Sequence, residues 1–216
     1  MNTEPIAFLE EDLPPHFKKG VDALRAATGP TAKADLDDVL QAKGTIRFVV
    51  AGLGERWLVI ENGELRVAAA RPDGFPVRAA LAFTESAAKA ALDMMSESGR
   101  FDDPKAPSRF ARVASARAEK ILGAHKIEFH VIVTDLPDDQ PDVIVKVGIG
   151  TDTPPEKPQF TARISNDDIE DVREGDLTPQ QILGRLRLTG DASKAMALGM
   201  MLMQPPPGAK PGAPKK

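Results

Sequence analysis

The chain of 216 residues contains no cysteine, no tyrosine, one tryptophan and three histidines. Without cysteine it can form no disulfide, no thiolate nucleophile and no thiolate metal site. Aromatic residues make up 5% of the chain and hydrophobic ones 42%, so its interior must be built mainly from aliphatic and thioether side chains. Long apolar runs are missing too, and nothing reaches the roughly 18 residues expected of a membrane-spanning helix. The opening "MNTEPIAFLEEDLPPHF" is acidic and interrupted by Pro5, Pro14 and Pro15, whereas a secretion signal begins basic and continues apolar. A cytoplasmic location is therefore expected. With a net charge of −4 the chain also lacks the basic excess needed to displace counterions from phosphate backbones, so no nucleic-acid partner is expected.

Catalytic signatures are equally sparse. No serine occupies a Gly-x-Ser-x-Gly elbow, and His16, His125 and His130 do not have the His-x-x-x-His spacing of a metal site. Asp167 and Asp168 open an expected helix, where carboxylates are favoured by the helix dipole. "AGLGE" at residues 51–55 has two glycines of a dinucleotide fingerprint but neither the third glycine nor the following helix, so it reads as a turn between strands. The expectation is a protein without enzymatic activity, cofactor or metal, with an uncharacterised hydrolase as the weaker catalytic alternative.

What the chain does have is a repeated order of strands and helices. "FKKGVDALRAATG" and "KADLDDVLQAKG" carry helical periodicity, and each is expected to stop at its glycine, Gly29 or Gly44. In "TIRFVV", Ile46, Phe48 and Val50 alternate with Thr45, Arg47 and Val49. Asn62 and Gly63 separate "WLVIE" from "ELRV", and Asn-Gly suits a hairpin turn because both central residues need positive φ. "PVRAALAF" is a further strand, after which Thr84 caps the helix "ESAAKAALDMM". Following a polar, proline-bearing connector and the helix "PSRFARVASARAEKIL", the order returns. "KIEFHVIV" and "VIVKVGIG" are strands, and "PQFTARISNDDIEDV" repeats the strand, cap and helix of "PVRAALAFTESAAKAAL".

The C-terminal part closes with a more distinctive series. Thr178 caps and Pro179 starts a short helix ended by Gly184. "RLRL" is a strand with Leu186 and Leu188 on one side, Gly190 turns the chain, and Asp191 caps a last helix. The ordered set Gly175, Leu177, Pro179, Gly184, Leu186, Leu188, Gly190 and Asp191 resembles the closing segment of the sterol carrier protein two family of small lipid-binding domains. The hairpin after Trp57 is similar to that family's early strands. Residues 127–204 carry the resemblance most fully. The N-terminal unit lacks the closing series, and Ile182 and Leu183 stand where family members often have aromatic residues.

The resemblance implies an α+β fold in which antiparallel-rich sheets are covered by helices around an apolar tunnel. The expected organisation is a degenerate N-terminal unit at 1–95, a connector and helix at 96–123, a C-terminal unit at 124–204 and a disordered tail at 205–216. The two units would pack as a single-chain pseudo-dimer, with one enlarged domain as the alternative. The tunnel would take up a fatty acid, acyl-coenzyme A, sterol or phospholipid. Its strand lining would be Phe129, Val131, Val133, Val145, Phe160 and Ile164, joined by Ile182, Leu186 and Leu188. Met196, Met200 and Met203 share a stripe of the last helix, and this flexible thioether stripe would form a lid that repacks around ligands of different shape. A close-packed methionine core is the plainer alternative, and an interaction or dimerisation module without ligand is the alternative function. Transient membrane contact is compatible with Lys210, Lys215 and Lys216, while the sequence leaves the oligomeric state open.

Overall fold

A computed structural model describes residues 4–97, 106–114, 126–137, 140–174 and 176–203. The chain begins with helical structure: α1 (Pro5–Ala7), a π-helical turn (Phe8–Asp12) and α2 (Leu13–Ala26). The early prolines therefore do not break the structure. Pro14 lies in the first turn of α2, directly after the π-helical turn in which the Leu13 amide donates to the Phe8 carbonyl. Helix α3 (Pro30–Gln41) follows. Both helices end before the glycines expected to stop them: Ala27 and Ala42 are already extended, and Gly29, at φ +115°, is the N-cap of α3.

Strands β1 (Lys43–Val50), β2 (Gly54–Glu61) and β3 (Glu64–Ala68) form an antiparallel meander. Asn62 and Gly63 make the β2–β3 turn with φ of 53° and 76°. β4 (Val77–Phe83) does not extend the meander at β3, but returns beside β1 and pairs with it in parallel. The Thr84 hydroxyl then accepts the Ala87 amide at 3.1 Å, capping α4 (Glu85–Glu97). Helix α5 (Ala106–Val113) covers the first part of the helix expected there; the remainder, most of the connector and the tail lie outside the described residues.

In the C-terminal half, β5 (Ile127–Thr134) pairs antiparallel with β6 (Val143–Ile149) and parallel with β7 (Phe160–Ser165). The Ser165 hydroxyl caps α6 (Asn166–Glu174) by accepting the Asp168 amide at 3.1 Å. Next come α7 (Pro179–Arg185), the edge strand β8 (Arg187–Gly190) paired antiparallel with β7, and α8 (Ala192–Met203). The β5–β6–β7–α6 order repeats the pairing of β1, β2 and β4 with α4: an antiparallel neighbour on one side of the first strand, a parallel one on the other, then a helix.

The two halves share one eight-stranded mixed sheet in the order β3-β2-β1-β4-β6-β5-β7-β8, joined where β4 pairs antiparallel with β6. The protein is thus α+β with a predominantly antiparallel sheet. Register places Ile46, Leu58, Ala79, Ile149, Ile127 and their alternates on one face, because directly paired residues project to the same side. Over the N-terminal half, Phe17, Val21, Leu24 and Val39 seal that face against Ile46, Leu58 and Ile60, all buried. On the opposite face Trp57 is buried, donating its indole hydrogen to Glu55 at 3.2 Å beneath the Arg47 and Arg71 guanidiniums.

Candidate apolar binding face

The closing series folds as a chain of local devices. Thr178 and Gln181 form a capping box, each side chain bonded to the other residue's backbone amide, and Pro179 opens α7. Gly184 lies inside this helix, which runs on to Arg185; it is not the stop expected from the sequence. Arg185 consequently belongs to α7 and donates to Asp168 at 2.6 Å, fixing α7 against α6. Gly190 has φ +99°, and a Cβ there would lie 2.4 Å from the Gln159 carbonyl oxygen, so the turn out of β8 requires glycine. Asp191 then caps α8, accepting the Ser193 and Lys194 amides at 3.1 and 3.3 Å.

These devices place α8 over the apolar face of the C-terminal strands. Phe129 and Phe160 stack with ring centroids 5.0 Å apart and, with Ile127 and Ile149, pack beneath Leu198. Val131 joins the edge of this cluster. A second cluster lies under α4, where Val133 and Val143 meet Ala87 and Leu136, with Val145 and Ile164 at its margin. The six strand residues expected to line a site therefore share one face but divide between two clusters, the second of which α6 also covers through Ile169. Val131 pairs directly with Val145 and Ala162, so the clusters adjoin. Along this junction Val131, Val145, Val147, Ala162 and Ile164 are only half-buried.

The remaining expected residues fare differently. Ile182 and Leu186 are half-buried, and Leu188 on the edge strand is 41% exposed; among the described contacts none of the three joins either cluster. Met196 is 65% exposed and does not turn toward the sheet. Ala195 and Leu198 form the stripe that does, because the small alanine lets the helix approach and Leu198, two residues on from Met196, falls on nearly the opposite side of the helix. Met200 and Met203 lie among the residues whose side chains are not described. Val147, Ile149 and Ala162 also belong to the apolar face, and strand alternation is enough to find them.

Charged groups surround this face from its rim and from the other side of the sheet. The Arg185 hydrogen bond holds the Asp168 carboxyl below its ordinary range, and the Ser193 hydroxyl and the Lys194 amide do the same for Asp191. On the opposite face Arg47 lowers Glu55, and Lys146 lowers Glu156. All four carboxylates are held ionised within ion pairs or caps. His130 alternates onto the opposite face, its Nε2 lying 3.0 Å from the Pro155 carbonyl oxygen. Among the described residues no cluster of three or more metal-ligating side chains forms, and no helix is long and apolar enough to cross a membrane.

The chain matches no family model, no curated protein and no solved structure. The face itself combines apolar strands, partial cover by helices and charge confined to the surroundings.

Proposed function

We propose that the protein binds a lipid, without covalent chemistry, between the C-terminal strands and helices α4 and α8. The observation that carries this reading is the half-buried state of Val131, Val145, Val147 and Ile164, which continues across the sheet to their half-buried neighbours Leu81 and Phe83. Apolar surface left partly wet is what a long-chain ligand would cover, gaining roughly 25 cal/mol for each Å² removed from water. The resemblance of residues 177–191 to the sterol carrier protein two family supports the same reading, as does the capped α8 over Phe129 and Phe160. In this proposal the halves are related units forming a single-chain pseudo-dimer, of which the C-terminal one holds ligand, and the protein carries lipid in the cytoplasm. Fatty acids, acyl-coenzyme A, sterols and phospholipids are the candidate classes.

Titration of delipidated protein with a fluorescent fatty acid should saturate and be reversed by unlabelled lipid. Mass spectrometry of material extracted from the purified protein should identify what it carries. Absence of binding across the four classes would overturn the reading. An interaction module is the second reading, favoured by the exposure of Met196 and Leu188 at the same end of the molecule; it requires an empty protein that self-associates through that end.

A further inference from the structure

We infer that the edge strand β8 pairs with β8 of a second copy of the chain, so that two molecules join their sheets around Leu188. This goes beyond the binding reading above and stands whether the apolar face is filled or empty. β8 lies at one end of the sheet, and among the described residues no strand pairs with its outer side. Every residue in it is exposed. The Asp191 amide donates to the Gln159 carbonyl at 2.9 Å. Backbone groups alternate in direction along an antiparallel strand, so Thr189 and Arg187 also turn theirs toward β7, while Leu188 and Gly190 present theirs outward. At Leu188 the side chain is open as well, 41% exposed. It ends a row of directly paired residues that crosses the sheet from Phe83 through Val145, Val131 and Ala162. The apolar row therefore reaches water at the sheet's edge.

One register suits a second copy at this edge. With Leu188 opposite Leu188 of the second copy, the two residues exchange both backbone hydrogen bonds and cover each other's side chains on the apolar face. Arg187 then faces Thr189 of the second copy, and at each end of the pair Arg185 comes level with Asp191 of the second copy. Sliding one copy by two residues in one direction sets Arg187 directly against Arg187 of the second copy, which like charge disfavours. Sliding it in the other direction leaves Leu188 against Gly190, beside the turn where Asp191 leaves the strand for α8. Charge around the edge balances: Arg185, Arg187 and Lys194 stand with Asp168, Asp171 and Asp191. Two copies of a chain with net charge −4 thus meet here without the repulsion felt elsewhere, while a strongly charged peptide or nucleic acid finds no opposing field. The other end of the sheet offers no equivalent, because β3 lies against α2 with Leu65 buried.

Sedimentation equilibrium of the full chain should show a concentration-dependent exchange between monomer and dimer. Leu188→Lys places a charge on the edge, and Leu188→Pro removes the outward amide hydrogen without touching the bonds to β7. Each should weaken the dimer at least about tenfold, or about 1.4 kcal/mol, and Leu188→Lys should keep the melting temperature of the wild-type monomer. Because the chain has no cysteine, one introduced cysteine reports one position. Under mild oxidation Leu188→Cys should give a disulfide-linked dimer, since directly opposite residues lie about 5.5 Å apart at Cα. Thr189→Cys should not, since it lies diagonal to Thr189 of the second copy, about 7 to 8 Å away and out of disulfide reach. The inference is overturned by wild-type protein that stays monomeric up to about 1 mM, including one whose β8 captures an extended peptide instead. A dimer indifferent to Leu188→Lys, or equal yields from the two cysteines, overturns it too. So does an open ladder of oligomers, the mark of β8 meeting β3 head to tail. A dimer of the expected kind that binds no free lipid upholds the inference and removes the ligand reading alone; a monomer that binds lipid does the reverse.

Discussion

The two ends of the sheet use the same strand arrangement and differ in how they are covered. In the N-terminal half, α2, α3, α5 and the π-helical turn close over Ile46, Leu58 and Ile60 and leave them dry, while Phe48, Val67 and Leu81 around them stay half-buried. In the C-terminal half, α4 and α8 approach separate clusters, and the valines between them are half-buried. Val131 and Val145 follow the same alternation as Ile46 and Leu58. Strand patterning therefore fixes which side is apolar, but the helices decide whether that side becomes sealed core or accessible surface.

The sharpest way to break the comparison is the same truncation in each half. Ile60→Ala removes a fully buried side chain and should cost about 4 kcal/mol, within the range for buried isoleucine. Ile164→Ala, at the half-buried junction, should cost less than about 2 kcal/mol because water already reaches the site and less of a sealed cavity is left. Equal losses in denaturant unfolding would mean that both halves are sealed. Gly190→Ala should follow at about 3 kcal/mol, the upper end of the cost of backbone strain, because the added Cβ meets Gln159 and Phe160 in a positive-φ turn. A normal melting temperature for that variant would show that the β8 edge adjusts freely.

Val131→Thr keeps the volume and branching of the side chain and places a hydroxyl on the proposed ligand floor. It should weaken fatty-acid binding about tenfold, or about 1.4 kcal/mol, with little loss of stability. Val39→Thr, in the sealed half, should show the reverse: lower stability and unchanged binding. The smallest expected effect concerns acid. Because Arg47 depresses Glu55 in the folded protein, the contribution of the pair is present above the ordinary glutamate range and is lost as pH falls through the depressed folded value. Acidification should therefore perturb Trp57 fluorescence, and Glu55→Gln should remove that component of the transition while leaving lipid binding unchanged.

Much of this architecture was legible because its signals are local. Asn62 and Gly63 specify a turn between neighbouring strands, and Thr84, Ser165, Thr178 and Asp191 cap helices that begin immediately after them. The N-terminal helices were harder to read because proline marks both breaks and first turns; the burial of Phe8 and Leu9 distinguishes the cases, and burial is not a local property. The facing of α8 could not be read for a related reason. When both Met196 and Leu198 are apolar, periodicity carries no direction, and the choice falls to the fit of Ala195 and Leu198 over two stacked phenylalanines. Nor did any local signal foretell that β4 would pair with β6, since that union joins segments far apart along the chain.

The β4–β6 union also has a consequence for biosynthesis. Synthesis completes β1 to β4 well before β6 exists, so β4 must wait as an open edge on which, beyond Arg78, the small and apolar residues Ala79, Ala80, Leu81 and Ala82 carry none of the charges that discourage wrong pairing. The nascent N-terminal half is thus expected to be the form most prone to aggregate, and a fragment ending at Glu97 should scatter light under conditions in which the full chain stays clear. A clear fragment would mean that another part of the N-terminal half shields the strand until its partner arrives.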